Sequence, residues 1–295
     1  MTVLFTCPGN ENLADALLER SGMEAGKLTL HHFPDGETLV KIDTPVKGRD
    51  VVLLCTLDRP DEKAMALLFF SQTARELGAA SVGLIAPYLG YMRQDKRFHD
   101  GEAVTADIFA AFLSRHFDSL ITVDPHLHRH KEMSEIYAIP ATVVHAADAV
   151  AQWIGRNVEK PVLIGPDEES AQWVSAVAGK ANAPFTVLLK TRRGDSEVEV
   201  SVPDIEKFRD HTPVLVDDII STARTMIETV RHLQAAGMKA PVCVGIHAVF
   251  SGNAYEDLKS RGAGRIVTCN TIAHESNAID IGEAIASHLP SRPAR

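Results

Sequence analysis

Apolar residues in this chain fall in short continuous runs rather than in strict alternation. Val51-Val52-Leu53-Leu54 and Val214-Leu215-Val216 are two such runs, and the pattern predicts strands buried on both faces of a parallel sheet. Strands are expected at 2–6, 51–56, 81–86, 120–123, 161–164, 185–189, 213–216, 242–249 and 265–268. Amphipathic stretches between them predict helices at 11–20, 61–78, 103–116, 147–155, 169–179, 222–236, 254–260 and 278–288. Strand–helix alternation of this kind implies an α/β fold with helices on both faces of a mainly parallel sheet. The pattern runs twice, dividing the chain into domains at 1–147 and 148–295, each of ordinary size.

Composition narrows the classes. A formal net charge of −9 disfavours non-specific nucleic-acid binding. Small anionic substrates stay open, because the cations gather in two places, Arg93 to Arg97 and Lys190 to Arg193. Cys7, Cys55, Cys243 and Cys269 lack CxxC spacing, which argues against a zinc ribbon or disulfide scaffold and fits a reducing cytoplasm. The N-terminus has no signal-peptide pattern, and no apolar stretch approaches the ~20 residues of a membrane span. A cytoplasmic protein with no membrane partner is the expectation.

The most informative stretch runs from Val214 to Met226. An apolar strand ends in Asp217-Asp218, and Ser221-Thr222-Ala223-Arg224-Thr225 then opens a helix. Neighbouring strand residues point to opposite faces, so one acid can meet a pair of sugar hydroxyls while the other meets solvent, a metal or backbone. The loop offers hydroxyls and uncommitted N–H groups at a helix N-terminus, where phosphate is favoured. Acids for hydroxyls beside a nest for phosphate describe a receptor for ribose 5-phosphate. The same residues also suit an ordinary strand–turn–helix.

Four further stretches carry chemistry. His32-Phe33-Pro34-Asp35-Gly36-Glu37 reads on its own as a hairpin turn. Tyr91-Met92-Arg93-Gln94-Asp95-Lys96-Arg97 follows an apolar strand and can bind phosphate oxygens and a purine edge, or form a solvated loop. Asp124-Pro125-His126-Leu127-His128-Arg129-His130 has alternating histidines but no matching Cys/His pair for zinc. One imidazole, set by a carboxylate and aimed at a nucleotide's magnesium, is the more economical reading. Ile164-Gly165-Pro166-Asp167 is a third strand ending in an aspartate loop. Ligands of open α/β sheets bind beyond the carboxyl ends of strands.

In this order and spacing the motifs resemble the phosphoribosyl pyrophosphate (PRPP) synthetases, or ribose-phosphate diphosphokinases. The likeness extends from Pro8-Gly9-Asn10 to Asn270-Thr271-Ile272. Asp-Pro-His and Lys190-Thr191-Arg192-Arg193 look closest to the short archaeal-type branch. The PRPP loop is shared with type I phosphoribosyltransferases. The resemblance implies two tandem type I phosphoribosyltransferase-like, Rossmann-like domains and a transferase that moves the diphosphoryl group of ATP onto ribose 5-phosphate. By the same resemblance, Phe33, Asp35 and Glu37 contact the adenosine of ATP, from a neighbouring subunit. Arg93, Gln94, Asp95 and Arg97 hold its adenine and phosphates. His126 serves Mg2+ and ATP, and Asp167 a Mg2+ near the ribose. Asp217 and Asp218 lie along the ribose diol; Ser221, Thr222, Ala223 and Thr225 cup the 5-phosphate. Lys190 and Arg192 are the catalytic cations of a mobile loop, and a homo-oligomer, dimer or hexamer, is implied.

Two positions depart from the family. Arg224 stands where the synthetases have glycine, and Glu168-Glu169-Ser170 follows Asp167 where they carry a glycine pair. Either Glu169 points away, or diphosphate binding is weakened. Two other functions therefore stay open: a phosphoribosyltransferase using PRPP and a nucleobase, and a non-catalytic regulatory homologue.

Overall fold

A computed structural model describes residues 2–165, 170–193, 197–201 and 205–289. The chain forms two compact units, one reaching His145 and the other running from Ala146 to Ile281. The first contains β1 (Val3–Thr6), α1 (Glu11–Arg20), β2 (Glu24–Ala25), β3 (Leu28–His32), β4 (Thr38–Ile42) and β5 (Asp50–Leu54). It continues through α2 (Pro60–Glu76), β6 (Ser81–Ala86), α3 (Thr105–His116), β7 (Ser119–Val123) and β8 (Ala141–Val144). The second contains α4 (Ala147–Asn157), β9 (Pro161–Gly165), α5 (Ala171–Ala181), β10 (Phe185–Val187), β11 (Leu189–Arg193) and β12 (Glu197–Ser201). It ends with β13 (Thr212–Ile219), α6 (Arg224–Ala235), β14 (Val242–His247), α7 (Ala254–Ser260), β15 (Arg265–Cys269) and β16 (Asn277–Ile279). The last helix, α8 (Gly282–Ala286), packs with the first unit.

Each unit is built on a six-stranded sheet, ordered β2-β1-β5-β6-β7-β8 in the first and β10-β9-β13-β14-β15-β16 in the second. All neighbours within these sheets are parallel. The two orders are one pattern, strand for strand. In each unit a separate antiparallel ribbon, β3–β4 or β11–β12, is inserted after the edge strand. The continuous apolar runs become the buried central strands, with Val51, Leu53 and Leu54 in β5 and Val214, Leu215 and Val216 in β13 all buried. Phe5 of β1 meets Phe70 of α2 edge to face at 5.3 Å, closing one side of the first sheet.

The apolar runs mark no strands at β3–β4, where the antiparallel ribbon is the hairpin read from Asp35-Gly36, and they predict a single strand over 185–189 before a loop. The β3–β4 ribbon does alternate, Leu28, Leu30 and Val40 being half-buried between exposed neighbours. A half-covered ribbon carries too little apolar surface to stand out as a run. Residues 277–279 extend the sheet instead of starting the helix expected at 278–288. The helices are also exchanged: α8 lies against α1 and α4 against α5. The helix after each sheet's first strand, α1 or α5, is thus covered by the helix that follows the other sheet's last strand. Among the described residues no helix is long and apolar enough to cross a membrane.

Candidate active site

In a parallel sheet all carboxyl ends share one edge, and loops from different strands meet there. In the second unit the central loop leaves β13. Asp217 and Asp218 lie within this strand rather than beyond it, Asp217 in register with Gly245 of β14. A side chain on Gly245 would come within 2.6 Å of the Ile220 side chain, so a larger residue there would push aside Ile220 in the turn after β13. Ala223 then takes a left-handed conformation with φ of 56°, and α6 begins at Arg224. The expected helix start at 222 thus moves past this turn.

The N-terminus of α6 has no side-chain cap and no acid in its first turn. Its leading N–H groups carry partial positive charge. Around it stand Ser221, half-exposed, Thr222, exposed, and Thr225, half-exposed. Ser221 is braced from β14's loop: its hydroxyl lies 3.0 Å from that of Ser251, and the Ser251 N–H donates to its carbonyl at 3.0 Å. A small cleft lined by Gly165, Leu188, Val216 and Thr225 reaches from β9 to α6. Lys190 and Arg192 are alternate residues of β11, opposite Val200 and Val198 of β12. They form a ribbon where a flexible loop was expected, and β12 lies beside α6. Asp167, Glu168 and Glu169 lie outside the described residues.

In the first unit Phe33, Asp35 and Glu37 sit at the exposed tip of the β3–β4 ribbon. Phe33 N–H donates to the Glu37 carbonyl at 2.8 Å, Glu37 N–H to Asp35 Oδ1 at 3.2 Å, and Gly36 turns at φ of 91°. Phe33 is 39% exposed and packs edge to face on His31 at 4.6 Å. The loop after β6 carries Arg93, Gln94 and Arg97 exposed. Asp95 turns inward, 3.6 Å from Arg129 of the loop after β7, and so ties the two loops together. His126 stacks on His128 at 5.9 Å in that second loop. Among the described residues, no group of three or more His, Cys, Asp or Glu side chains stands close enough to hold a metal.

Two family models match the chain: an N-terminal domain of ribose phosphate pyrophosphokinase over residues 2–116 and a phosphoribosyl transferase domain over 132–284. A ribose-phosphate pyrophosphokinase of Methanobrevibacter smithii is 30% identical over 95% of this chain and 97% of its own. That of Methanopyrus kandleri is 31% identical over 97% of both chains. This chain belongs to the ribose-phosphate pyrophosphokinase family. A solved phosphoribosylpyrophosphate synthetase from Mycobacterium smegmatis shares its fold, with a TM-score of 0.85 and 24% identity over 97% of each chain. The fold is accordingly that of two tandem phosphoribosyltransferase-like domains.

Several residues that shape the family's loops here have no role assigned from the sequence. Glu102 staples the loop after β6: its Oε2 accepts from the Phe98 and His99 N–H groups at 2.9 and 3.0 Å, and its carbonyl from Arg97 Nε at 2.8 Å. The His99 imidazole, with these amides, holds the Glu102 carboxyl below its usual range. Asn10 bridges the ends of β1 and β5, accepting from Thr56 N–H at 3.0 Å and donating to the Cys7 and Pro8 carbonyls. Beneath it a hydrogen bond with Cys55 and burial push the Cys7 thiol well up. Such partners are distant in sequence or hidden among common polar residues, so only the fold reveals them.

Proposed function

We propose that this protein is a ribose-phosphate diphosphokinase, moving the diphosphoryl group of ATP to the anomeric hydroxyl of ribose 5-phosphate to give PRPP and AMP. The carrying observation is the edge of the second sheet, where paired carboxylates lead into a hydroxyl-lined, uncapped helix N-terminus. Asp217 and Asp218 accept hydrogen bonds from the ribose diol. Ser221, Thr222, Ala223 and Thr225 hold the 5-phosphate against the start of α6. The half at 148–295 is then the ribose-phosphate half, and that at 1–147 the nucleotide half, with Arg93, Gln94, Asp95, Arg97 and His126 on the ATP. Phe33, Asp35 and Glu37 serve the adenosine of a neighbouring copy in a homo-oligomer, a dimer or hexamer; the exposure of Phe33 and Leu39 on one ribbon supports this.

The anomeric oxygen attacks the β-phosphorus, and the bond from that phosphorus to the oxygen bridging it to the α-phosphorus breaks. The transfer depends on alignment and on cations near the phosphoryl oxygens. Lys190 and Arg192, on a ribbon beside α6, fill that cationic role. His126 and Asp167 are a small donor set that suits Mg2+, which keeps most of its waters and travels on nucleotide phosphates. When bound, Mg2+ neutralises phosphate charge. Four buried free cysteines agree with a reducing cytoplasm.

Phosphorus NMR of the protein with Mg2+, ATP and ribose 5-phosphate tests the proposal. AMP and PRPP growing in equal amounts is the expected result. Absence of AMP despite ATP binding would point to a regulatory homologue instead. PRPP consumed only on adding a nucleobase would mean a transferase.

A further inference from the structure

β7 and β8 end side by side, and the residues that follow them are bound together. Asp124 N–H donates to the Val144 carbonyl at 3.1 Å, and His145 Nδ1 lies 2.8 Å from Asp124 Oδ1. An ionised carboxylate only accepts, so the imidazole carries its proton on Nδ1. The Asp124 side chain is 9% exposed and that of His145 71%. The turn beyond is strained. Asp124 and His126 both have φ of 33°, on either side of Pro125, and His126 N–H donates to the Asp124 carbonyl at 2.9 Å. Non-glycine residues hold such angles only where their surroundings over-determine them.

The second unit has the same clamp at the same place. Asn270 follows β15 and Asp280 follows β16; Asn270 N–H donates to the Ile279 carbonyl at 3.0 Å, and Asn270 Nδ2 to Asp280 Oδ1 at 2.8 Å. There the residue in Asp124's position is a neutral amide, and none of residues 270–272 has a positive φ. Joining the two strand ends therefore requires neither a carboxylate there nor a strained turn. Both are additions of the first unit, and both lead to His126.

We propose that His145 is a positioning residue for the nucleotide: by donating to Asp124 it holds the turn that presents His126. This rests on the ATP site proposed above. His145 itself touches no reacting atom in this role. Its loss loosens the turn and weakens the nucleotide, while ribose 5-phosphate, held by the other half, is unaffected.

The test compares His145→Phe, which removes the donor, with His145→Asn, whose amide N–H stands where Nδ1 does. Calorimetry with Mg2+ and ATP, ribose 5-phosphate absent, reads the nucleotide Kd; steady-state rates give KM for each substrate. H145F is expected to weaken ATP about tenfold, the scale of one hydrogen bond to a charged group. H145N should return to within about threefold of wild type, with the ribose 5-phosphate KM within about twofold in both. Because His145 is mostly exposed, the melting temperature of both variants should stay within about 2 °C of wild type. An unchanged ATP Kd in H145F overturns the proposal. So do an H145N as impaired as H145F, a matching rise in the ribose 5-phosphate KM, or a larger drop in melting temperature. Wild-type protein that binds ATP without forming PRPP would defeat the proposed function alone, since the calorimetric comparison still decides the role of His145.

Discussion

The two units share one sheet order and one ribbon insertion, yet the equivalent helices α2 and α6 open differently. Each is preceded by a left-handed residue, Arg59 with φ of 49° and Ala223 with φ of 56°, and neither has a side-chain cap. α2 begins Pro60-Asp61-Glu62, α6 begins Arg224-Thr225-Met226. Proline removes one N–H, and two acids neutralise the positive end of α2. Lys63 turns back to the Thr56 carbonyl at 2.8 Å and pairs with Asp58. The first helix start is neutralised by its own chain; the second has neither proline nor acid in its first turn. In the reading proposed above, a scaffold used twice thus keeps one of its two equivalent helix starts for the 5-phosphate, and a handful of side chains decide which copy does so.

The comparison breaks most readily at the cations. Lys190→Ala should lower the rate of AMP formation by about a hundred- to a thousandfold, the usual loss for a group aimed at developing phosphoryl charge. Its melting curve should change little, and an unaltered rate would remove the β11–β12 ribbon from the chemistry. Next comes the exchanged helix. Ile285 of α8 is fully buried, and Ile285→Ala should cost about 2–4 kcal/mol. Hydrogen exchange should show the loss first in α1 and the β1–β8 sheet; loss confined to the β9–β16 sheet would contradict the exchange. Thr225→Glu makes α6 open more like α2. It should raise the ribose 5-phosphate KM by about tenfold or more while leaving that for ATP within about twofold.

Two smaller effects sharpen the contrast. With its carboxyl held low by His99, Glu102 staples its loop fully above the ordinary carboxylate pKa of about 4.3, and the staple is lost as pH falls through the lowered value. Amide NMR of Phe98 and His99 should therefore move together in an acid titration with a midpoint below that value; in Glu102→Gln the transition should vanish. Burial pushes the Cys243 thiol to about 12, and Cys7 is raised as well. Ellman's reagent at mildly alkaline pH should find no reactive thiol in the native protein and all four in guanidinium.

The sheets were legible because their central strands are buried on both faces and so stand out as apolar runs. The ribbons gave less: Asp35-Gly36 marked the turn of β3–β4, but β11 reads Leu189-Lys190-Thr191-Arg192-Arg193, more basic than apolar. Strict alternation in Glu197-Val198-Glu199-Val200-Ser201 was the available signal for its partner. Asp217 and Asp218 hid the end of β13 because acids interrupt an apolar run, although the strand continues to Ile219. The motif residues of the candidate site could be named from the sequence. Their supports could not: Asp124 and His145, or Asp95 and Arg129, meet only once parallel strands bring their carboxyl ends to one edge. The destination of α8 was equally hidden, because a helix after a last strand carries no mark of which sheet it will cover.

That destination sets the order in which the protein can be made. A ribosome delivers β1 to β8 first, but α1 then waits for α8, whose buried Ile285 is among the last residues described. The first unit to be synthesised is thus the last to be completed. A chain cut just before Gly282 would keep every strand of both sheets and still leave α1, near its beginning, without its cover.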